Sequence, residues 1–318
     1  MRENATTDPA FVVPLITTIG VPFCGRRSIS FGTEQEFMSI IIKTPEEIEG
    51  LRKAGRTAGE LLDYLTPFVK PGITTAELDR LAYDYTVNVQ KAIPACLHYQ
   101  PHPSMTPYPA TTCISVNHVV CHGIPSEKKL KAGDIVNIDV TSIVDGFHGD
   151  TSRMFLVGKP TIAGKRLVDL AFQIMWAGID AVRPGATFRD VAQASHDLAK
   201  KNGVSVVRDY GGHGIGRGFH EEPFVYHYPS TSPDAKATLD TVLKPGMVFS
   251  VEPMVNAGRY DVSSLSDGWT VVTRDRSLSA QWEHMVVVTE TGYDILTASK
   301  GTQTPPDFVK GYRLPEDL

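Results

Sequence analysis

The strongest constraint on this chain is that it nearly repeats itself. Lys70-Pro71-Gly72 is matched by Arg183-Pro184-Gly185, and Leu130-Lys131-Ala132-Gly133 by Leu243-Lys244-Pro245-Gly246. The step from Gly72 to Gly133 is 61 residues, and the step from Gly185 to Gly246 is again 61. After each first glycine a threonine opens a helix, Thr74 with Glu77 and Thr187 with Asp190. After each second glycine comes a β-rich run, 134-DIVNIDV-140 and 247-MVFSVEP-253. Six residues past each second glycine stands a carboxylate, Asp139 in one half and Glu252 in the other. This predicts an α+β fold of two pseudo-symmetric ααββ halves, with a site between them fed by acids from both.

The first confident element begins at Thr44, where Thr44-Pro45-Glu46-Glu47 is a capping box with proline at the first helical position. Ile48, Leu51, Ala54, Leu61, Leu62 and Leu65 follow at helical spacing. Pro71-Gly72 closes that helical stretch, and Leu78, Leu81 and Tyr85 share a face of the next. The stretch 1–37 reads as a flexible leader: it is apolar from Phe11 to Phe23 but broken by Pro14 and Pro22, without a basic n-region or cleavage site. Arg26, Arg27, Ser28 and Ser30 give it slight transit-peptide character, which Glu3 and Asp8 oppose; Met38-Ser39-Ile40 also reads as a translation start. The expected division is a 1–37 leader, a single 38–300 catalytic domain and a 301–318 tail.

Composition closes off several function classes. The net charge of −5 gives no electrostatic reason for sequence-specific nucleic-acid binding or an anionic membrane partner. No apolar run is long enough to cross a bilayer. Cys24, Cys96, Cys113 and Cys121 form no C-x-x-C pair, so a reduced cytoplasmic setting is expected.

Asp145-Gly146 is a two-residue hairpin signal inside 134-DIVNIDVTSIVDGFHGDTSRMFLV-157. Pairing Val144 with Phe147 places Thr141 opposite Asp150 and Asp139 opposite Ser152. Asp139, Thr141 and Asp150 then share a face, with the two acids within roughly 8 Å at Cβ. A lone strand aspartate would read as a solvated face. Here Glu252 and Glu283 repeat the arrangement in the second half, and four acids among apolar neighbours are costly to bury without a cation. The glycine-rich 211-GGHGIGRGFHEEP-223 fits neither G-x-G-x-x-G nor H-E-x-x-H, so it is read as a loop or irregular strand bringing His213 and His220 to the site. Oxygen ligands with one imidazole suit Mn, Fe, Co or Zn. Five candidate ligands are generous for one ion, and bridging acids hold paired ions about 3.5–4 Å apart.

Taken together, Cys121-His122-Gly123-Ile124-Pro125, Asn137-Ile138-Asp139-Val140, Asp145 to Thr151, Gly212 to Gly216, Phe219-His220-Glu221-Glu222-Pro223, Val251-Glu252-Pro253-Met254 and Asp267-Gly268-Trp269-Thr270 resemble type I methionine aminopeptidases. The resemblance runs from about Met38 to about Thr297. It implies the pita-bread fold and a soluble, monomeric enzyme that removes the initiator methionine from nascent chains before a small second residue. It implies two divalent ions on Asp139, Asp150, His213, Glu252 and Glu283, with Asp150 and Glu283 bridging, and attack by a bridging water or hydroxide. Glu252 would be general base, His220 would polarise the scissile carbonyl, and His122 would contact the scissile amide nitrogen. Cys96, Tyr99, Cys113, Phe219 and Trp269 would line the methionine pocket, with Tyr108 near its mouth. Backbone oxygens of Asn117, Val119 and Ser279 would hold a monovalent cation. The ribosome is a further partner the resemblance suggests.

His118, His148, His227 and His284 read as solvated or structural, and so do His98 and His102. The stretches 100-QPHPSMTPYP-109 and 229-PSTSPDAKATLD-240 look enlarged, the second as a surface loop. Two rivals stay open. A prolidase or Xaa-Pro aminopeptidase would share the ligands but usually carries a larger N-terminal domain. A non-catalytic ribosome- or peptide-binding relative would be expected to lose ligands.

Overall fold

The computed structural model describes residues 40–309 and Leu314. The leader 1–37, the Met38 start and most of the stretch beyond 309 lie outside the described residues. Among the described residues there are five α-helices, α1 (Pro45–Leu65), α2 (Thr75–Asp84), α3 (Ile162–Asp180), α4 (Phe188–Lys201) and α5 (Pro233–Leu239). The strands of the first half are β1 (Ile93–Pro94), β2 (Thr112–Val116), β3 (Val119–Cys121), β4 (Ile135–Val144) and β5 (Phe147–Leu156). The second half adds β6 (Ser205–Val206), β7 (Gly212–Gly214), β8 (Glu221–Val225), β9 (Val248–Val251) and β10 (Met254–Asn256). It ends with β11 (Val262–Ser264), β12 (Val271–Thr273), β13 (Ser279–Gln281), β14 (His284–Val288) and β15 (Tyr293–Ile295).

The repeat seen in the sequence is a repeat of backbone geometry. Gly72, Gly133, Gly185 and Gly246 all have φ between 84° and 98°, a region open to glycine and strained for other residues. Gly72 N–H donates to Leu130 O while Leu130 N–H donates to Ile73 O; Gly185 with Leu243, and Leu243 with Ala186, do the same. Gly133 N–H bonds Val157 O in one half, and Gly246 N–H bonds Val288 O in the other. The threonine N-caps of α1, α2 and α4 all form full capping boxes, as their sequences predict.

Each half stacks its helices on its own hairpin. Ala58, Leu61, Leu62 and Leu65 of α1 and Leu78 and Ala82 of α2 bury against Val136, Ile138 and Val140 of β4. In the second half α3 and α4 meet Phe249, Val251, Val255, Val286 and Val288, and Phe308, Val309 and Leu314 pack onto that core. The opposite face of α1, through Leu51 and Ala54, touches Met285 and Val287, which ties the halves together.

The hairpins differ at the carboxylates. β4 and β5 pair without interruption, with Asp139 opposite Ser152, Thr141 opposite Asp150 and Val144 opposite Phe147, the register expected from Asp145-Gly146. In the second half Val251 pairs with His284 and Met254 with Gln281, so Glu252-Pro253 lies opposite Trp282-Glu283 in a gap between two short ladders. The expectation of four carboxylates at matching places therefore needs correcting. Asp139 and Glu252 correspond, but Glu283 matches the position of Ser152, and Asp150 lies two residues from it. Ser152 and Glu283 themselves form a bridge, which joins the hairpins at the site.

The 229–240 stretch also differs from expectation. It contains α5, which opens with Pro233 at its first position and whose Ala235 and Leu239 are buried against Ala192. The glycines of β7 serve its neighbours rather than a ligand. A Cβ on Gly212 would strike the Ser250 carbonyl, and one on Gly214 the Glu222 carbonyl.

Candidate active site

Four acids and one imidazole converge where the hairpins meet. Ligand atoms of Asp150, His213 and Glu283 all lie within 4.8 Å of one another. His213 Nε2 is 3.6 Å from Asp150 Oδ2 and 3.7 Å from Glu252 Oε1. Asp150, Glu252, Glu283 and His213 are buried, and Asp139 is half-buried beside them. Burial is the main force pushing the carboxyl groups of Asp139 and Glu283 well above the carboxylate range, with Asp150 the nearest charge adding to it. Burial likewise lifts Glu252 to about 7, against the pull of His213. Burial acts against protonated His213, but its bond to Asp150 and the charges of Glu252 and Asp150 outweigh that and raise it. Acids raised first by burial and then by one another's charge are relieved by a cation, and mixed oxygen and imidazole donors suit a divalent ion.

Around the acids stands a layer of neutral donors. Ser250 Oγ donates to Glu252 Oε1 (2.8 Å) and Gln281 Nε2 to Glu252 Oε2 (2.9 Å). Thr141 Oγ1 donates to Asp150 Oδ1 (2.8 Å). His227 Nε2 accepts the Glu252 N–H at 3.1 Å, so this structural histidine backs the site. Sequence reasoning did not single out Ser250 or Gln281. The available signal was alternation, since each lies two strand residues from an acid and shares its face.

His220 stands beside the acids, its ring centroid 4.2 Å from that of His213 and its Nδ1 2.7 Å from the Tyr99 hydroxyl. One side of His220 is open to solvent. Even so, the desolvation of its ring, and then the neighbouring His213, His122 and His148, hold it well below the usual imidazole range. His122 has φ 53° and presents its ring edge-on to Tyr210 and Trp269; burial lowers it to about 4. His148 is structural, its ring stacked on Phe219 at 5.5 Å and its Nδ1 3.3 Å from Gly216 O. His284 is structural, bonded through Nδ1 to Thr297 Oγ1. His98 and His102 are exposed, and His102 Nδ1 lies 2.7 Å from Ser104 Oγ.

The residues expected to line a methionine pocket form one cluster. Cys96, Cys113, Tyr108 and Trp269 pack together with Tyr99, Phe219 and Met105. Tyr108 needs correcting. It does not stand at a mouth but is 2 % exposed, its hydroxyl donating to the carbonyls of Thr112 and Gly123, its ring edge-on to Trp269. The Pro-rich stretch 100–107 joins this wall, since Trp269 Nε1 donates to Thr106 O. Of the three residues expected to hold a monovalent cation, Asn117 O accepts the Ser279 N–H at 2.8 Å, and Val119 pairs with Val272 close by.

A pseudo-symmetric pair of αα-hairpin units around buried, cation-seeking acids defines the class, a metallohydrolase of the pita-bread fold. The family model for metallopeptidase family M24 matches residues 49–290. The methionine aminopeptidase of Escherichia coli K12 is 55% identical over 269 residues, 84% of this chain and 97% of that one. The crystal structure of methionine aminopeptidase from Rickettsia prowazekii superposes with a TM-score of 0.76 at 48% identity, over 82% of this chain and all of that one. Prolidase from Pyrococcus furiosus shares the fold alone, with a TM-score of 0.63 at 24% identity over 82% of this chain and 66% of its own. The chain thus belongs to metallopeptidase family M24, among the methionine aminopeptidases. It is a metal-dependent hydrolase, and among the described residues no helix is long and apolar enough to cross a membrane.

Proposed function

We propose that this protein removes the N-terminal methionine of polypeptides, chiefly the initiator methionine of nascent chains, when the second residue is small. The observation that carries the reading is the carboxylate–imidazole cluster lying against a sulfur-and-aromatic cluster whose surfaces suit a thioether. Asp139, Asp150, His213, Glu252 and Glu283 would hold two divalent ions (Mn, Fe, Co or Zn), with Asp150 and Glu283 shared. When bound, such ions polarise a carbonyl and lower the pKa of water to about 7.

The chain's own groups do the rest. Glu252, oriented by Ser250 and Gln281, takes the proton of the attacking water and delivers it to the leaving amine. Donation from the Tyr99 hydroxyl to His220 Nδ1 leaves the proton on Nε2, which stabilises the developing oxyanion. His220 is kept neutral for this role by its depressed pKa. His122, neutral at pH 7, contacts the scissile amide nitrogen. Cys96, Tyr99, Cys113, Phe219 and Trp269 receive the methionine side chain, backed by Tyr108. The catalytic domain spans 38–300. Backbone oxygens of Asn117, Val119 and Ser279 form a monovalent-cation site. The enzyme works as a cytoplasmic monomer near the ribosome exit.

The test is methionine release from Met-Ala-Ser by metal-loaded protein, with Glu252→Ala alongside. Release by the wild type and loss of at least about 100-fold in the variant is expected, the scale of a lost acid–base group. Equal release by both would remove Glu252 from the mechanism.

A further inference from the structure

A buried ion pair outside the carboxylate cluster bears on the reactive turn. Lys43 lies just ahead of α1, and its side chain is 4 % exposed. Its Nζ bonds Glu221 Oε2, and the Glu221 side chain is 13 % exposed. Two contacts fix the lysine backbone: Lys43 N–H donates to Gly246 O at 2.8 Å, and Ile42 bridges Met247. The Lys43 backbone is thus anchored to the second half, at the two residues just ahead of β9.

Glu221 is the residue after His220. Its second carboxylate oxygen accepts the Gly218 N–H at 2.9 Å, and Gly216 N–H donates to Gly218 O at 3.1 Å. The turn 216–221 is therefore folded around this one carboxylate. Gly216 leaves room for it, since a Cβ there would collide with Lys43 Nζ and both Glu221 oxygens. From the same turn Phe219 enters the aromatic pocket and His220 meets Tyr99 and His213. A buried pair is weak evidence for stability, because desolvation offsets its attraction; its best-attested use is to specify geometry.

We infer that the Lys43–Glu221 ion pair is a positioning device that sets the 216–221 turn, and with it His220 and Phe219, for reaction. Neither residue belongs to the carboxylate–imidazole cluster or to the aromatic pocket. The inference rests on the role given to His220 under Proposed function. A misplacement of about 1 Å in a catalytic group costs on the order of 100-fold in rate.

The test uses the full-length, metal-loaded chain and four variants: Lys43→Met, Glu221→Gln, the double variant, and His220→Ala. Glu221→Gln keeps an acceptor for Gly218 while removing the charge. Assays run well below each variant's unfolding midpoint, with bound metal counted per chain. The expected result is a kcat on Met-Ala-Ser at least about tenfold lower in both singles, with full metal content and a KM changed far less. The double variant should recover thermal stability, since no charge is left buried alone, yet keep the lowered kcat. A purely structural pair would show the reverse, with kcat within twofold of wild type in every folded variant, and that result overturns the inference. A kcat loss that tracks lost metal would overturn it too, by moving the effect to the acids. If His220→Ala itself is silent, the role of His220 falls and this inference with it. A damaged His220→Ala beside silent Lys43 and Glu221 variants would sink the positioning alone.

Discussion

At the scale of single residues, Glu252 is held by two neutral donors, Ser250 and Gln281, each within 2.9 Å of one of its carboxylate oxygens. Asp139, Asp150, His213, Glu252 and Glu283 stand out because acids inside apolar strands demand a reason, and they do converge. Ser250 and Gln281 carry no such signal; a serine and a glutamine in strands are ordinary until a carboxylate is found within 2.9 Å. Tyr108 was placed on the wrong side of its pocket because nothing local tells a buried tyrosine from a rim one. Its hydroxyl is satisfied by carbonyls four and fifteen residues away, a tertiary arrangement. Trp269 offers the sharpest residue-scale test. It is 8 % exposed and shares the pocket with Cys96 and Cys113. Trp269→Ala should raise KM for Met-Ala-Ser by at least about tenfold, the lower end for a lost apolar contact in a specificity pocket. Steady-state kinetics of the folded variant would show it, and an unchanged KM would place the methionine side chain elsewhere.

At the scale of elements, turn chemistry and caps were legible because they are local. Asp145 and Gly146 have φ of 52° and 79°, both left-handed, as a type I′ turn demands, and that turn alone fixed the register that puts Asp139 and Asp150 on one face. The three capping boxes were read the same way. Helix α5 was missed for the opposite reason. Seven residues with no side-chain N-cap bond have little intrinsic helix stability, and burial of Ala235 and Leu239 supplies what the local sequence lacks. Gly146→Ala should cost about 1–2 kcal/mol, the left-handed penalty for a residue with a Cβ. Urea unfolding measures it; a loss near zero would mean the turn adopts another type and the register argument fails.

At the scale of the whole molecule, the repeat predicted two halves and the site between them, because pseudo-symmetry is written in spacing. It did not predict that the second hairpin breaks at Glu252-Pro253 and Trp282-Glu283, which sets Glu283 against Ser152 rather than Asp150. That offset depends on how the halves dock, and docking has no local signature. The central claim is that these acids form a metal site, and it has a pH signature. Glu252 has a folded-state pKa of about 7 against an ordinary value of 4.5. Between those values Glu252 holds more proton in the metal-free folded state than in the unfolded chain, so its contribution to stability falls as pH rises. Asp139 and Glu283, also raised, act in the same direction, while His122, His220, His227 and His284, held below the usual imidazole range by burial, act against it. A bound cation stabilises the ionised cluster and the folded state with it. The decisive measurement is therefore the thermal midpoint of chelator-stripped protein between pH 5 and pH 7.5, with and without added Mn or Co. The account predicts that an added ion raises the midpoint, and raises it more at pH 7.5 than at pH 5, because the ion competes with protons for Glu252, Asp139 and Glu283. A midpoint that no added ion raises at either pH would contradict the account, and the metal site would be refuted.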